Sequence, residues 1–306
     1  MSEYSMKNKR ILITGGTGLL GKSLIEKSSN RHKIIATFLG DYSMRDTGQV
    51  AYLKLDIRNN EGFGKLFNDF KPDVVIHAVS VGSPDFAEKN KEYTWKVDIT
   101  GTKNMIGLCE KFGTKLVYIS SNGIYRGDKP PYAEDDLAEP INYYGLVKLE
   151  GEKLVKSSML TFAIVRPILM YGWHMPFERA NIVTIALDKL KNRDTVYAFD
   201  DVFCNPLLGD HCAEAIWKII EDGLYDVFNI GGKDIVNIYQ LVSMAADIFN
   251  LDTKLVRAVQ QGFFEGAARR PKNTSYLTTK MHDILGLDPL PIREGLEIMK
   301  SQKRLG

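Results

Sequence analysis

Two spacings in this 306-residue chain could carry chemistry. The first is Thr14-Gly15-Gly16-Thr17-Gly18-Leu19-Leu20-Gly21, with glycine at every third position directly after the apolar run Ile11-Leu12-Ile13. In such a unit the first glycine makes a tight turn, the second lets backbone N–H groups approach a pyrophosphate, and the third lets a helix pack on its strand. A helix opening there points the positive end of its dipole at the anion. Gly15, Thr17, Gly18, Leu19 and Leu20 are thus the expected cradle of a dinucleotide; an ordinary strand-to-helix turn is the plainer alternative. The second spacing is Tyr144-x-x-x-Lys148. On a helix these two lie one turn apart on one face, so a phenol and an ammonium can reach a single small ligand. Taken alone, they read by default as an exposed helical pair.

Bringing these groups together requires strands that end at a common edge, and the pattern supplies them. Apolar runs at Lys33 to Phe38, Val50 to Ile57, Asp73 to Ser80, Lys115 to Ile119 and Thr161 to Arg166 read as strands. Helical spacing covers Leu19 to Asn30, Glu61 to Phe70, Lys91 to Phe112 and Ile141 to Lys156. Strand and helix alternate, so the expected fold is α/β, a Rossmann-type doubly wound parallel sheet with right-handed crossovers. Ligands of such sheets bind at the carboxyl ends of the strands, where Ser120 and Ser121 fall. His77 reads as a packed strand residue. Beyond Arg166 the pattern loosens: helices at Asn181 to Asn192, Asp210 to Asp222, Asn237 to Phe249 and Arg293 to Ser301, a strand at Val227 to Ile230, and prolines at 271, 289 and 291. Residues 1–166 are therefore expected to form a NAD(P)-binding domain. Residues 167–306 form a smaller C-terminal substrate-binding lobe with elements returning to the first domain.

The end of the second strand normally carries a carboxylate that binds both ribose hydroxyls of NAD and repels the 2′-phosphate of NADP. That position falls on Phe38, followed by Leu39, and no acid is there. Downstream, Ser43 and Arg45 could hold a 2′-phosphate, a guanidinium doing so by charge-assisted bonds. NADP(H) is favoured on this ground and NAD(H) remains open; Arg45 is as readily a solvated loop residue. Asp56, with Ile57 after it, is placed for the adenine amino group, or is a turn or cap carboxylate. Ala78, among the small residues that finish the fourth strand, is expected at the same edge.

Composition narrows the partners. Lys and Arg total 40 against 38 Asp and Glu, so charge gives no reason to expect nucleic acid or an acidic membrane surface. With 44% hydrophobic residues the chain can bury a sizeable core. Cys109, Cys204 and Cys212 are odd in number and widely spaced, and with the histidines show no metal-ligand pattern, so reduced thiols and no metal are expected. No apolar run approaches the roughly 20 residues of a membrane helix, and Met1 to Arg10 is polar without a signal-type core. A cytoplasmic location is the expectation.

The ordered set Thr14-Gly15-x-x-Gly18-x-x-Gly21, Ser121 before Ile124-Tyr125, and Tyr144-x-x-x-Lys148 resembles the extended short-chain dehydrogenase/reductase family. The likeness continues through Leu55-Asp56-Ile57, Pro72 to Ala78 and Gly101-Thr102-Lys103-Asn104, and covers nearly the whole chain. Within the family it looks most like the dTDP-4-dehydrorhamnose reductase group of nucleotide-sugar 4-ketoreductases. Asp85 to Asn90, Tyr132-x-Glu134, Arg166-Pro167 with Tyr171-Gly172, and Arg270-Pro271-Lys272-Asn273 carry that closer likeness.

The resemblance implies Ser121, Tyr144 and Lys148 as catalytic residues. In reduction of a ketone a hydride reaches the carbonyl carbon while a proton must reach its oxygen, and Tyr144 is the implied donor. A phenol that exchanges protons near neutrality needs a positive neighbour, which Lys148 supplies; as in the family, Lys148 and Tyr144 also belong to the nicotinamide ribose site. Ser121 would hydrogen-bond the carbonyl oxygen, with Ser120 the neighbouring alternative. Ser121, Asn122, Arg270 and Asn273 are implied substrate contacts. Arg166 is a further candidate, and equally a buried structural arginine. The related 4,6-dehydratases carry an acidic pair after the active hydroxyl, where this chain has Asn122 and Gly123, which argues against a dehydratase. Asp98 stands where the family often has asparagine. The implied activity is NADPH-dependent reduction of a nucleotide-linked 4-keto-6-deoxyhexose. A 4-epimerase that keeps NAD bound, and a non-catalytic NADP-binding regulatory subunit like that of methionine adenosyltransferase, are the alternatives. The resemblance also admits a homodimer.

Overall fold

Ile11, Leu12 and Ile13 are all fully buried, as a strand covered on both faces must be. They lie in β1 (Arg10–Thr14) at the heart of the computed structural model, which describes residues 8–28 and 32–302. The first unit continues with α1 (Leu19–Glu26) and β2 (Lys33–Phe38), then β3 (Val50–Lys54), α2 (Asn60–Phe70) and β4 (Val74–His77). Next come α3 (Pro84–Lys89), α4 (Lys91–Trp95), a π-helical turn over Lys96–Thr100, α5 (Gly101–Phe112), β5 (Lys115–Ile119), α6 (Tyr143–Lys156) and β6 (Phe162–Pro167). The second half contributes β7 (Met170–Tyr171), α7 (Ile182–Lys191), β8 (Val196–Phe199), β9 (Phe203–Cys204), β10 (Leu207–Leu208), α8 (Gly209–Asp222) and β11 (Val227–Ile230). It closes with β12 (Val236–Asn237), α9 (Ile238–Ile248), β13 (Val256–Val259), α10 (Thr279–Leu285) and α11 (Ile292–Ser301).

Seven strands form one sheet in the order β11-β6-β5-β4-β1-β2-β3, every pairing parallel. Alternation along β1 sends Ile11 and Ile13 to one face, against Leu20 and Leu24 of α1 and Ile216 of α8. Leu12 points to the other, against Phe63 and Phe67 of α2, Met105 of α5 and Val155 of α6. Helices therefore cover both faces, as a parallel sheet requires. The winding reverses between β1 and β4, and the crevice at such a switch point is where ligands of open α/β sheets bind. The two-stranded pairs β7–β10, β9–β12 and β8–β13 lie outside this sheet, the last packed with α7 and α9.

Most expected elements recur within two or three residues, with instructive exceptions. The third strand stops at Lys54, because Asp56 turns the chain by accepting a hydrogen bond from the Arg58 backbone N–H at 2.9 Å. The expected single helix over Lys91 to Phe112 is interrupted by the π-helical turn that carries Asp98 inward. Helix α3, begun by Ser83 capping the Phe86 N–H and by Pro84, was not anticipated. The last expected positions of the first helix, Ser29 and Asn30, and the polar stretch Met1 to Lys7 lie outside the described residues. Cys109, Cys204 and Cys212 are buried and free. Among the described residues no helix is long and apolar enough to cross a membrane.

Candidate functional site

The glycine loop lies at the crevice, and Gly15, Gly16 and Gly21 hold it in a form that side chains there would disturb. Gly15 takes φ +73°, and a Cβ on Gly21 would stand 2.2 Å from the Gly15 carbonyl oxygen. Gly18 opens α1 with no side-chain cap, so the first-turn N–H groups near Leu19 and Leu20 are left for an anion. These features fit a dinucleotide diphosphate. Ala78, whose N–H donates to the Thr14 carbonyl at 3.3 Å, closes the crevice from the β4 side.

Helix α6 brings the second group. Asn142 caps it by accepting from the Gly145 N–H at 2.8 Å. Gly145 is packed so closely that a Cβ there would lie 2.0 Å from the Gly123 carbonyl oxygen. That contact presses the helix onto the short turn Asn122–Ile124 and lays the Tyr144 ring along Gly123, whose absent Cβ would be 3.2 Å from the ring and 3.5 Å from Ser121 Oγ. Ser121 and Tyr144 therefore flank the same glycine, Gly123. Ser120, by contrast, donates its hydroxyl to buried Glu152 at 2.6 Å. Lys148 is 3% exposed and donates to the Ile119 carbonyl at 3.0 Å. Its Nζ is 3.6 Å from Asp98 Oδ1, and Asp98 also accepts from Ser80 Oγ at 2.5 Å and the Val81 N–H at 3.0 Å.

At the end of β4, His77 Nδ1 meets Thr14 Oγ1 at 2.8 Å and Nε2 meets Thr102 Oγ1 at 3.1 Å. Burial, with the charge of Lys148, pushes its pKa down to about 3, so the folded protein holds a neutral ring. The unfolded chain protonates it near pH 6.5, so this contribution to stability is whole above that pH and is lost as pH falls toward 3. Urea unfolding is expected to show the wild type losing about 2 kcal/mol more than His77→Gln between pH 7 and pH 5. Equal losses would show that His77 is not the group responsible.

The other sequence candidates are placed as follows. Asp56 is bonded to Arg58, whose guanidinium lies 5.2 Å from the centre of the Tyr93 ring. Ile57 is buried against Gly101, and Arg45 is exposed on the connection from β2 to β3. Asn122 Nδ2 donates to Thr274 Oγ1 at 2.6 Å, tying the Ser121 turn to the second half of the chain. Arg270 donates to Asp85 Oδ2 at 2.8 Å and lines a cavity of about 1010 Å³ with Arg126, Phe199, Phe264, Arg269 and Lys272. Asn273 instead spends its side-chain oxygen on the Ser275 N–H and hydroxyl, holding a turn. Arg166 is buried in a bidentate pair with Glu152, which makes it structural.

Sequence reading missed one group. The segment 172–181 between β7 and α7 crosses to the glycine loop, where the Glu178 carboxylate accepts hydrogen bonds from Thr17 Oγ1 and, at 2.6 Å, from the Tyr42 hydroxyl. Burial and this carboxylate push the Tyr42 phenol up to about 12, so it stays a donor. Nothing in the local sequence signals a glutamate more than a hundred residues away.

The chain is similar to known proteins over nearly its whole length. The family model of the RmlD substrate binding domain matches residues 9–304. Methionine adenosyltransferase 2 subunit beta of Mus musculus is 27% identical, the match covering 96% of this chain and 88% of that one. dTDP-4-dehydrorhamnose reductase of Aggregatibacter actinomycetemcomitans is 25% identical, with 95% and 98% covered. Among solved structures, dTDP-4-dehydrorhamnose reductase of Bacillus anthracis in complex with NADP superposes with a TM-score of 0.84 at 25% identity, covering 96% of this chain and 99% of the other.

Proposed function

We propose that this chain, which belongs to the RmlD substrate-binding-domain family, is an NADPH-dependent reductase of a nucleotide-linked 4-keto-6-deoxyhexose. The observation that carries this reading is the joint placement of Ser121, Tyr144 and Lys148 at the sheet edge that also bears the glycine loop. Gly15, Thr17, Gly18, Leu19 and Leu20 hold the dinucleotide, with Asp56, Ile57 and Ala78 at its adenine and central parts and Arg45 toward the 2′-phosphate. When bound, the nicotinamide supplies hydride to the carbonyl carbon. Tyr144 passes its hydroxyl proton to the carbonyl oxygen as negative charge develops there. Ser121 donates a hydrogen bond to the same oxygen, and Lys148 holds its positive charge beside the phenol and the nicotinamide ribose.

Residues 1–166 serve as the dinucleotide domain and 167–306 as the substrate lobe. The cavity lined by Arg126, Arg269, Arg270 and Lys272 beside Phe199 and Phe264 suits a nucleoside diphosphate, cations for the phosphates and aromatic faces for the base. Asn122, beside Ser121, remains a proposed sugar contact, whereas Asn273 is spent on its own turn. The likeness to methionine adenosyltransferase 2 subunit beta supports a second reading, a non-catalytic subunit that keeps the dinucleotide site.

A panel of dTDP-, UDP-, GDP- and CDP-linked 4-keto-6-deoxyhexoses, with NADPH oxidation followed by absorbance, separates the two. Turnover on one member of the panel is the expected result. Dinucleotide binding without turnover on any member would overturn the reductase and leave the epimerase and subunit readings.

A further inference from the structure

Phe38 and Leu39 put no acid at the end of β2, and Asp41 beyond them is exposed and paired with Lys54, yet the folded chain has a further carboxylate against that strand end. It arrives on the strap 172–181, which spans the switch-point crevice: Glu178 contacts Thr17 and Tyr42 on the β1–β2 side, while the Arg179 guanidinium donates to the Gly82 carbonyl on the β4 side. The carboxylate is held in place. Tyr42, four residues past Phe38, stacks on Phe38 with ring centres 5.1 Å apart and on Phe177 of the strap at 3.6 Å. Thr17 is a buried member of the glycine loop.

We propose that Glu178 is the residue that sets the choice between NADH and NADPH. A carboxylate at the end of β2 accepts from ribose hydroxyls and repels a 2′-phosphate; here the strap supplies one in place of the strand. The exposed guanidinium of Arg45 on the neighbouring connection acts in the opposite sense and favours NADPH, so Glu178 limits that preference without reversing it. This rests on the dinucleotide half of the function proposed above and is independent of the sugar half.

The test is fluorescence titration of the full chain with NADH and with NADPH, wild type against Glu178→Gln. The amide keeps the shape of the side chain and an oxygen for Thr17 and Tyr42, and removes only the charge. The expected result is about a tenfold gain in NADPH affinity relative to NADH, one like charge being worth roughly that much at a partly buried site. An unchanged ratio, whether both affinities stay the same or both move together, overturns the assignment of Glu178 while leaving the dinucleotide site intact. A loss of NADPH affinity relative to NADH also overturns it. Failure of the wild type to bind either dinucleotide overturns both this inference and the dinucleotide half of the proposed function.

Discussion

Replacing Tyr144 by Phe is expected to lower NADPH-linked turnover by about 10²–10⁴-fold, the usual worth of a positioned general acid. The ring keeps its place, since it is held by its flat contact with Gly123 and by the packing of Gly145 on the same turn. Only the hydroxyl is lost. NADPH affinity should therefore stay within about fivefold, because a single exposed hydrogen bond to the ribose is worth roughly 1 kcal/mol or less. The informative comparison is between the two readouts. Turnover that survives in Tyr144→Phe would remove the phenol from the chemistry, and turnover and binding lost together would make it a ligand of the dinucleotide instead of a proton donor.

The largest structural effect is expected at Arg166. Its Nε and Nη2 bond the two oxygens of Glu152 at 2.8 and 2.7 Å, and its Nη1 reaches the Tyr125 hydroxyl at 2.7 Å and the Glu134 carbonyl at 2.9 Å. Glu152 is fully buried, and burial opposes its ionisation. The Arg166 guanidinium nonetheless holds the carboxyl below its ordinary range, helped by Ser120. Arg166→Met leaves that charge buried with Lys156 as its nearest cation, at 3.4 Å. A loss of about 3–5 kcal/mol in urea unfolding at pH 7 is expected, as for other broken buried pairs. The pair stabilises the fold above the unfolded carboxyl pKa, and that share fades as pH falls, because protonating Glu152 removes the charge that needs a partner. The gap between wild type and variant should therefore narrow toward pH 4. A variant within about 0.5 kcal/mol of wild type at pH 7 would show that the network is not a main support of the fold.

Local pattern carried much of the molecule. The run Ile11 to Ile13, the glycine spacing after it, and the Tyr144 to Lys148 step are short-range features, and each forms the expected strand, turn or helix because periodicity and glycine geometry act within a few residues. The parallel sheet followed from the alternation of strands and helices. Where the expectation erred locally, a side chain intervened: Asp56 turned the chain early, and a π-helical turn broke the helix around Asp98.

What the sequence by itself determined, then, is the α/β class, the positions along the chain of the strands that build the sheet, and the residue types of the candidate site. Tertiary packing decided how those residues are used. It separated Ser120 from Ser121 by giving the first a buried carboxylate, made Arg166 structural, turned Asn273 toward its own loop, and brought Glu178 to Thr17 across 161 residues. Such contacts leave no periodic trace, because they are made between loops and side chains whose meeting depends on how the whole sheet and its covering helices close.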